Sequence, residues 1–397
     1  MPPAVKALRD QLYSHLFQDI LPFWQRNAID STGGICSCIG DDGVILNRDK
    51  WLWSQWRAVW VFSRLYRRFG QQEAWLNIAR SIADFCIRHG WDESQKRWRS
   101  AVDASGRELR GCDSVFTDGF AVYGLTELAL ASNRMEYGEW AGKTVSSILT
   151  YLPKPRCDLP QWPYSVQPGE KTQGIPMIFS MVLWEYAELT EDTMARSSAL
   201  GLVKEIFDHF YRSDRDLILE RVSQEGAELP APRGTVILPG HGVENMWFQI
   251  HIARAANRRD RIPLCCHLIK RNLELGWDQE FGGLFLAVDA NGKTEPDWAF
   301  ADAKLWWPHT EALYASLLAY TETGDMDFLT WFHRILNYSL ANYPVSGHGE
   351  WRQRLNRQGL PFSDTVALPV KDPFHLPRAL LLCLELLETR VKHTSLK

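Results

Sequence analysis

The sequence predicts an all-α fold, twelve helices in six repeats closed into an (α/α)6 barrel. Three observations lead there: polar turns recur at even intervals, each turn carries a glycine, and the stretches between them read as paired helices. The turns are "CIGDDGVIL", "AVDASGREL", "VQPGEKT", "RVSQEGAEL", "AVDANGKTE" and "RLNRQGLPF", with glycines at 43, 106, 169, 226, 292 and 359. Their spacings are 63, 63, 57, 66 and 67 residues, so one unit is used six times. Two echoes, "GWDESQKRW" at 90–98 and "GWDQEFGGL" at 276–284, precede the second and fifth turns.

Helical character marks residues 4–27, 51–69, 71–89, 115–132, 135–152, 172–190, 194–212, 241–257, 261–275, 304–323, 326–342 and 373–389. A helix pair cannot bury its apolar face alone, and stacked copies supply the missing partner. Closure gives six inner and six outer helices in a single domain, 1–397, with short β-hairpins at one end. Each turn joins an outer helix to the next inner one, so all six lie at the end where inner helices begin. Free N–H groups and positive potential collect there. A site lined by inner-helix starts is the expectation.

Composition removes other classes. Net charge is −4, which offers no basic field to nucleic acid or an anionic membrane. No apolar run is long enough to span a bilayer. The first segment, "MPPAVKALRDQLYSHLFQDILPFW", places Asp10 and Asp19 where a signal peptide needs an apolar run, so it reads as part of a cytoplasmic fold. The eight cysteines show no metal or disulfide rhythm and read as reduced thiols. Eighteen tryptophans suit either a large aromatic core or a carbohydrate site, because an indole packs flat on a sugar's C–H face.

Five inner helices open with an ionisable group. "WLWSQWRAVW" puts Trp53, Arg57 and Trp60 on one face, and "VFTDGFAVYG" brings Asp118. "PGHGVENMWF" sets His241 and Glu244 three apart, as "DPFHLPRALLL" sets His375 and Arg378. "KLWWPHTEALYASLLAY" places Trp307 and Glu311 four apart on one face, with His309 on another and therefore secondary. Each has a structural explanation alone: a first-turn carboxylate, a core histidine, a paired arginine. Together they suit proton chemistry on a neutral polyol. An imidazole near its ordinary value of about 6.5 is a fitting base for a carbon-bound proton next to a carbonyl. Arg57 supplies fixed positive charge to the resulting enediolate. Two histidines on opposite faces of one carbon invert it, whereas one histidine acting between C1 and C2 interconverts aldose and ketose. Hydrolysis would ask for a carboxylate pair instead. A non-catalytic carbohydrate-binding toroid is the remaining alternative.

These segments, with "GEWRQRLNRQG" and "DKWLWSQWRAVW", resemble signature segments of the N-acylglucosamine 2-epimerases, also known as renin-binding proteins, along roughly residues 5–388. The wider superfamily holds cellobiose 2-epimerases and mannose isomerases. The resemblance implies an (α/α)6 barrel, a homodimer, and interconversion of N-acetylglucosamine with N-acetylmannosamine. It implies His241 and His375 as the acid/base pair, supported by Arg57, Glu244 and Glu311. Trp53, Asp118, Trp307, His309 and Arg378, read from the inner-helix starts, are the expected sugar-binding residues. No metal is implied, the chemistry requires no cofactor, and ATP is an effector in the family. Three departures stand out. Trp56 replaces a small residue, Arg352 and Arg354 replace an aromatic and a small one, and the loop at 153–174 has no phosphate-cradling GxxxxGK[ST]. The stretch "MIFSMVLWE" also lacks the histidine of the isomerase branch.

Overall fold

The computed structural model describes residues 3–293, 295–362 and 371–394. Helix α1 runs through Pro3–Ser14, a π turn at His15–Ile20, and Leu21–Asn27. Then follow α2 (Leu52–Arg68), α3 (Glu73–Gly90), α4 (Val115–Ser132), α5 (Met135–Tyr151) and α6 (Gly174–Thr190). Helix α7 covers Thr193–Glu205 and ends in a π turn at Ile206–Phe210. The series closes with α8 (Pro239–Ala255), α9 (Ile262–Gly276), α10 (Trp306–Thr323), α11 (Met326–Asn342) and α12 (His375–Thr394).

The even-numbered helices form the inner ring. Each packs on the next, and α12 returns to α2, while the odd-numbered helices back them from outside. Burial follows this placement. An inner helix such as α4 is buried without a break over residues 115–128. Outer α3 buries one stripe, Trp75, Leu76, Ala79, Ile82, Ala83 and Cys86, at helical spacing. Two expected boundaries move for chemical reasons. Helix α8 starts at Pro239 rather than 241, because proline suits a first turn whose N–H has no partner. Helix α6 starts at Gly174 rather than 172, because Glu170–Thr172 is a strand.

All six turn glycines have left-handed φ, between +62° and +89°, which explains why glycine recurs there. The short strands do more than make turns. The strand ahead of each inner helix pairs antiparallel with the hairpin of the following repeat: Lys50–Trp51 with Ala101–Val102, Glu170–Thr172 with Arg221–Ser223, Val236–Ile237 with Val288–Asp289, and Lys304–Leu305 with Arg354–Leu355. A bridge from Ser114 to Gln161 makes the second seam, and Lys371 N–H donating to Ser37 O (2.7 Å) closes the belt. These seams also cap the inner helices, none of which from α2 to α10 has a side-chain cap. Leu52 N–H donates to Ser100 O, Gln173 N–H to Glu220 O, and Trp306 N–H to Gln353 O.

Four lysines lock the belt. Lys50 pairs with Asp30 (2.7 Å), Lys171 with Glu205 (3.1 Å), Lys304 with Asp278 (3.1 Å) and Lys371 with Asp41 (2.8 Å). Lys304 and Asp278 are fully buried. Removing one member of such a pair strands the other charge, at a cost of about 3–5 kcal/mol. Lys304→Met is therefore expected to lower the urea midpoint by a stability loss of that order; an unchanged midpoint would show that Arg357, also on Asp278 at 3.1 Å, suffices.

At the opposite end, Arg64 grips Glu385 (2.8 and 2.6 Å) and Arg67 grips Glu127 (2.7 Å). Glu185 stands beside them, pushed up to about 8 by burial and by the Glu127 carboxylate. A carboxyl raised in the fold stabilises fully below its unfolded value and withdraws that contribution as pH climbs through about 8. Melting temperature is thus expected to fall between pH 6 and pH 9, and Glu185→Gln to remove part of that fall. Parallel curves for the two proteins would contradict it.

Candidate active site

At the end where the inner helices begin, α8, α10 and α12 bring together a buried ion cluster. Arg378, from the first turn of α12, donates to Glu244 Oε1 of α8 (2.5 Å) and Glu311 Oε1 of α10 (2.8 Å). Burial opposes the guanidinium's charge, but Glu311 and Glu244 hold it above an arginine's ordinary value. Glu311 also accepts from Trp247 Nε1 (2.9 Å) and from His375 Nδ1 (2.7 Å). A carboxylate only accepts, so Nδ1 carries the proton and Nε2 is left as the basic nitrogen.

His241 repeats the arrangement on α8 with a different partner. Its Nδ1 donates to Glu220 Oε2 (3.1 Å), and the same oxygen accepts from Gln173 Nε2 (2.8 Å). Gln173 is aimed in turn by Asn245 Nδ2 (3.0 Å). Among the described residues neither histidine's Nε2 has a hydrogen-bond partner. Trp307 lies against both rings, with centroids 5.2 Å from His241 and 5.8 Å from His375.

The two imidazoles are pushed apart electrically. Burial drives His375 well below its ordinary value, and the Arg57 and Arg378 charges add to this against Glu244. Burial also works against a charged His241, but Glu220, with help from Glu244, lifts it above the ordinary value. Paired titratable groups with diverging proton affinities mark an acid and a base.

Arg57 sits in an aromatic cage, its guanidinium 4.2 Å from Phe120, 4.8 Å from Phe374 and 4.9 Å from Trp53. Such contacts are worth up to about 2 kcal/mol when desolvated. Its charged partner is Asp372, at a long 3.4 Å, and Nε bonds to nothing in the protein among the described residues. A fixed cation with donors to spare is thus presented beside His375. Tyr164, on the loop after α5, packs on Phe116 (6.1 Å) on the same wall.

Glu244, Glu311 and His375 bring one donor atom each within 4.8 Å of one another, a spacing a metal could use. The residues do not fit one. Arg378 already supplies the positive charge between the carboxylates, and the His375 nitrogen nearest Glu311 is spent on it.

Two residues expected here lie elsewhere. Asp118 is wholly buried and consumed by Arg97 Nε (2.7 Å), Trp98 N–H (2.9 Å) and Tyr151 OH (3.1 Å), tying α4 to its hairpin and to α5. His309 has both nitrogens engaged, Nε2 accepting from Leu284 N–H (2.8 Å) and Nδ1 bonded to Leu305 O (2.7 Å), and burial lowers it to about 3. Each points outward from the inner ring. Glu220, Gln173, Asn245 and Asp372 were not expected. The one signal for Glu220 is an acid inside the apolar run "LILERV".

The sequence profile of the N-acylglucosamine 2-epimerase (GlcNAc 2-epimerase) family matches residues 33–379. N-acylglucosamine 2-epimerase of Bos taurus is 31% identical over 397 residues, covering 96% of this chain and 92% of its own. The solved cellobiose 2-epimerase of Bacillus thermoamylovorans superposes with a TM-score of 0.82 at 21% identity, covering 96% of this chain and 99% of that one. A D-mannose isomerase structure gives 0.79 at 18%, covering 96% and 97%. Both share the fold. The match over most of the chain, on a barrel with this site, places the protein in the N-acylglucosamine 2-epimerase family.

Proposed function

We propose that the protein is a sugar 2-epimerase interconverting N-acylglucosamine and N-acylmannosamine, with His375 and His241 exchanging protons at C2 of the ring-opened sugar. One observation carries this reading: a buried and a partly buried histidine flank one indole, each anchored through Nδ1, with proton affinities shifted in opposite directions.

In the open-chain sugar C2 is next to the C1 aldehyde, so its proton is acidic. Neutral His375 takes it through Nε2, the C–H bond breaks, and the electron pair forms a C1–C2 enolate that keeps the acylamino group on C2. Arg57, whose cage leaves donors free, stabilises the oxygen that gains negative charge. Protonated His241 returns a proton to the opposite face of C2, the carbonyl re-forms, and the configuration is inverted. In the reverse direction the histidines exchange roles. Trp307 is placed to pack on the sugar's C–H face and Glu244 to assist ring opening. The family resemblance supports a homodimer in the cytoplasm, with ATP at most an effector. Among the described residues no helix is long and apolar enough to cross a membrane.

Incubating N-acetylmannosamine with the protein in D₂O is expected to give N-acetylglucosamine carrying deuterium at C2, read by proton NMR. Ketose accumulating from mannose, with no exchange at C2 of N-acetylmannosamine, would replace epimerisation with aldose–ketose isomerisation.

His241→Asn and His375→Asn are each expected to lower kcat by about 10²–10⁴-fold, with N-acetylglucosamine affinity by calorimetry little changed. A binding toroid would have no turnover to lose. The pH profile is expected to be flat through neutrality, because His375 is already neutral there. Activity then falls on the alkaline side as His241 loses its proton.

A further inference from the structure

The six repeats allow an internal comparison. Six residues ahead of each turn glycine the chain carries Ser37, Ser100, Pro163, Glu220, Leu286 and Gln353. The backbone duty is shared. Ser37, Ser100, Glu220 and Gln353 each offer a carbonyl to the N–H that begins the neighbouring inner helix or the residue leading into it. The fold therefore uses the backbone at this position and places no demand on the side chain, and only the fourth repeat spends an acid there. Glu220 is 2% exposed, and burying a carboxylate is costly unless it is paired. Among the described residues no lysine or arginine reaches it. Its hydrogen-bond partners are His241 Nδ1 and the neutral Gln173 amide, which Asn245 locks in place.

We propose that Glu220 is a positioning residue for His241: anchored by the belt through its backbone and aimed by Gln173, its carboxylate holds Nδ1–H and so presents Nε2 as the proton donor to the sugar. This rests on the epimerase reading for its kinetic consequence. It also makes the two histidines unequal. Glu311 shares its charge with Arg378, whereas Glu220 keeps its charge for the imidazole. The resting barrel is thereby set for abstraction by His375 and donation by His241. The charged groups facing His241 are Glu220 from the belt and Glu244 from its own helix, while Glu311, Arg57, Arg378, Glu244 and Asp372 face His375. Removing Glu220 thus bears on one histidine.

Glu220→Gln keeps the shape and removes the charge; Glu220→Asp keeps the charge. In Glu220→Gln the alkaline limb of the kcat/KM profile is expected to move down by about one pH unit, and kcat to drop about 10- to 100-fold with KM little changed. Glu220→Asp is expected to restore the limb. Equal losses in both variants with an unmoved limb would make Glu220 merely structural and overturn the proposal. A second measurement needs no turnover: ¹⁵N-histidine NMR of the full chain, with His241 assigned from His241→Asn. It is expected to show an Nδ1-protonated ring that titrates at higher pH in wild type than in Glu220→Gln. Identical titrations overturn the proposal even if epimerisation stands; shifted titrations without any C2 exchange uphold it while the epimerase reading fails.

Discussion

The site depends on one buried cation. Arg378 binds carboxylates from α8 and α10 while standing on α12, so three inner helices converge on a single guanidinium. Two carboxylates this deep would otherwise repel each other and lack hydration. The clamp also decides what Glu311 can do. With one oxygen shared between Arg378 and His375 and the other taken by Trp247, Glu311 orients the imidazole without leaving it a full uncompensated charge. Burial, with Arg57 and Arg378, then keeps His375 neutral, the form the proposed base needs at the start of a turn.

Much of the fold was written in the glycine period. A turn needing positive φ at each outer-to-inner crossing selects glycine, and that selection survives where other side chains vary. The clustering of Arg57, His241, Glu244, Glu311, His375 and Arg378 followed from the same geometry, because inner-helix starts share one mouth. What failed was the direction of side chains around a helix. Asp118 and His309 lie near inner-helix starts but turn toward outer helices and hairpins, where buried N–H groups need acceptors. Sequence position gives the height along the barrel, and only packing gives the angle. Glu220 is hidden for another reason: it sits on the belt, outside the inner-helix starts.

Two of the departures from the family pattern, Trp56 and Arg352, are taken up in structural contacts. Trp56 is fully buried edge-on against Trp98 (4.8 Å, 70°), between α2 and its hairpin. The α2–α4 crossing is close at this point, since a Cβ at Gly124 would stand 2.5 Å from Trp56 O. Arg352 turns back to Pro344 O (2.9 Å) at the end of α11. Among the described residues neither side chain makes a hydrogen bond or ring contact with His241, His375 or the Arg57 guanidinium.

A six-fold scaffold has a consequence for how function is placed on it. Equivalent positions satisfy equivalent structural duties: turn glycines, seam carbonyls, and lysines at four of the six belt segments. Residues that serve the repeat are therefore predictable from one another, and residues that serve the substrate are those the repeat does not explain. Inverting a carbon needs two different faces, one giving and one receiving, and no ring of identical units supplies that difference. In the proposed reaction it arises from two unlike carboxylate anchors, one inside the ring and compensated by arginine, one on the belt and uncompensated. The asymmetry of the chemistry is the asymmetry of those two anchors.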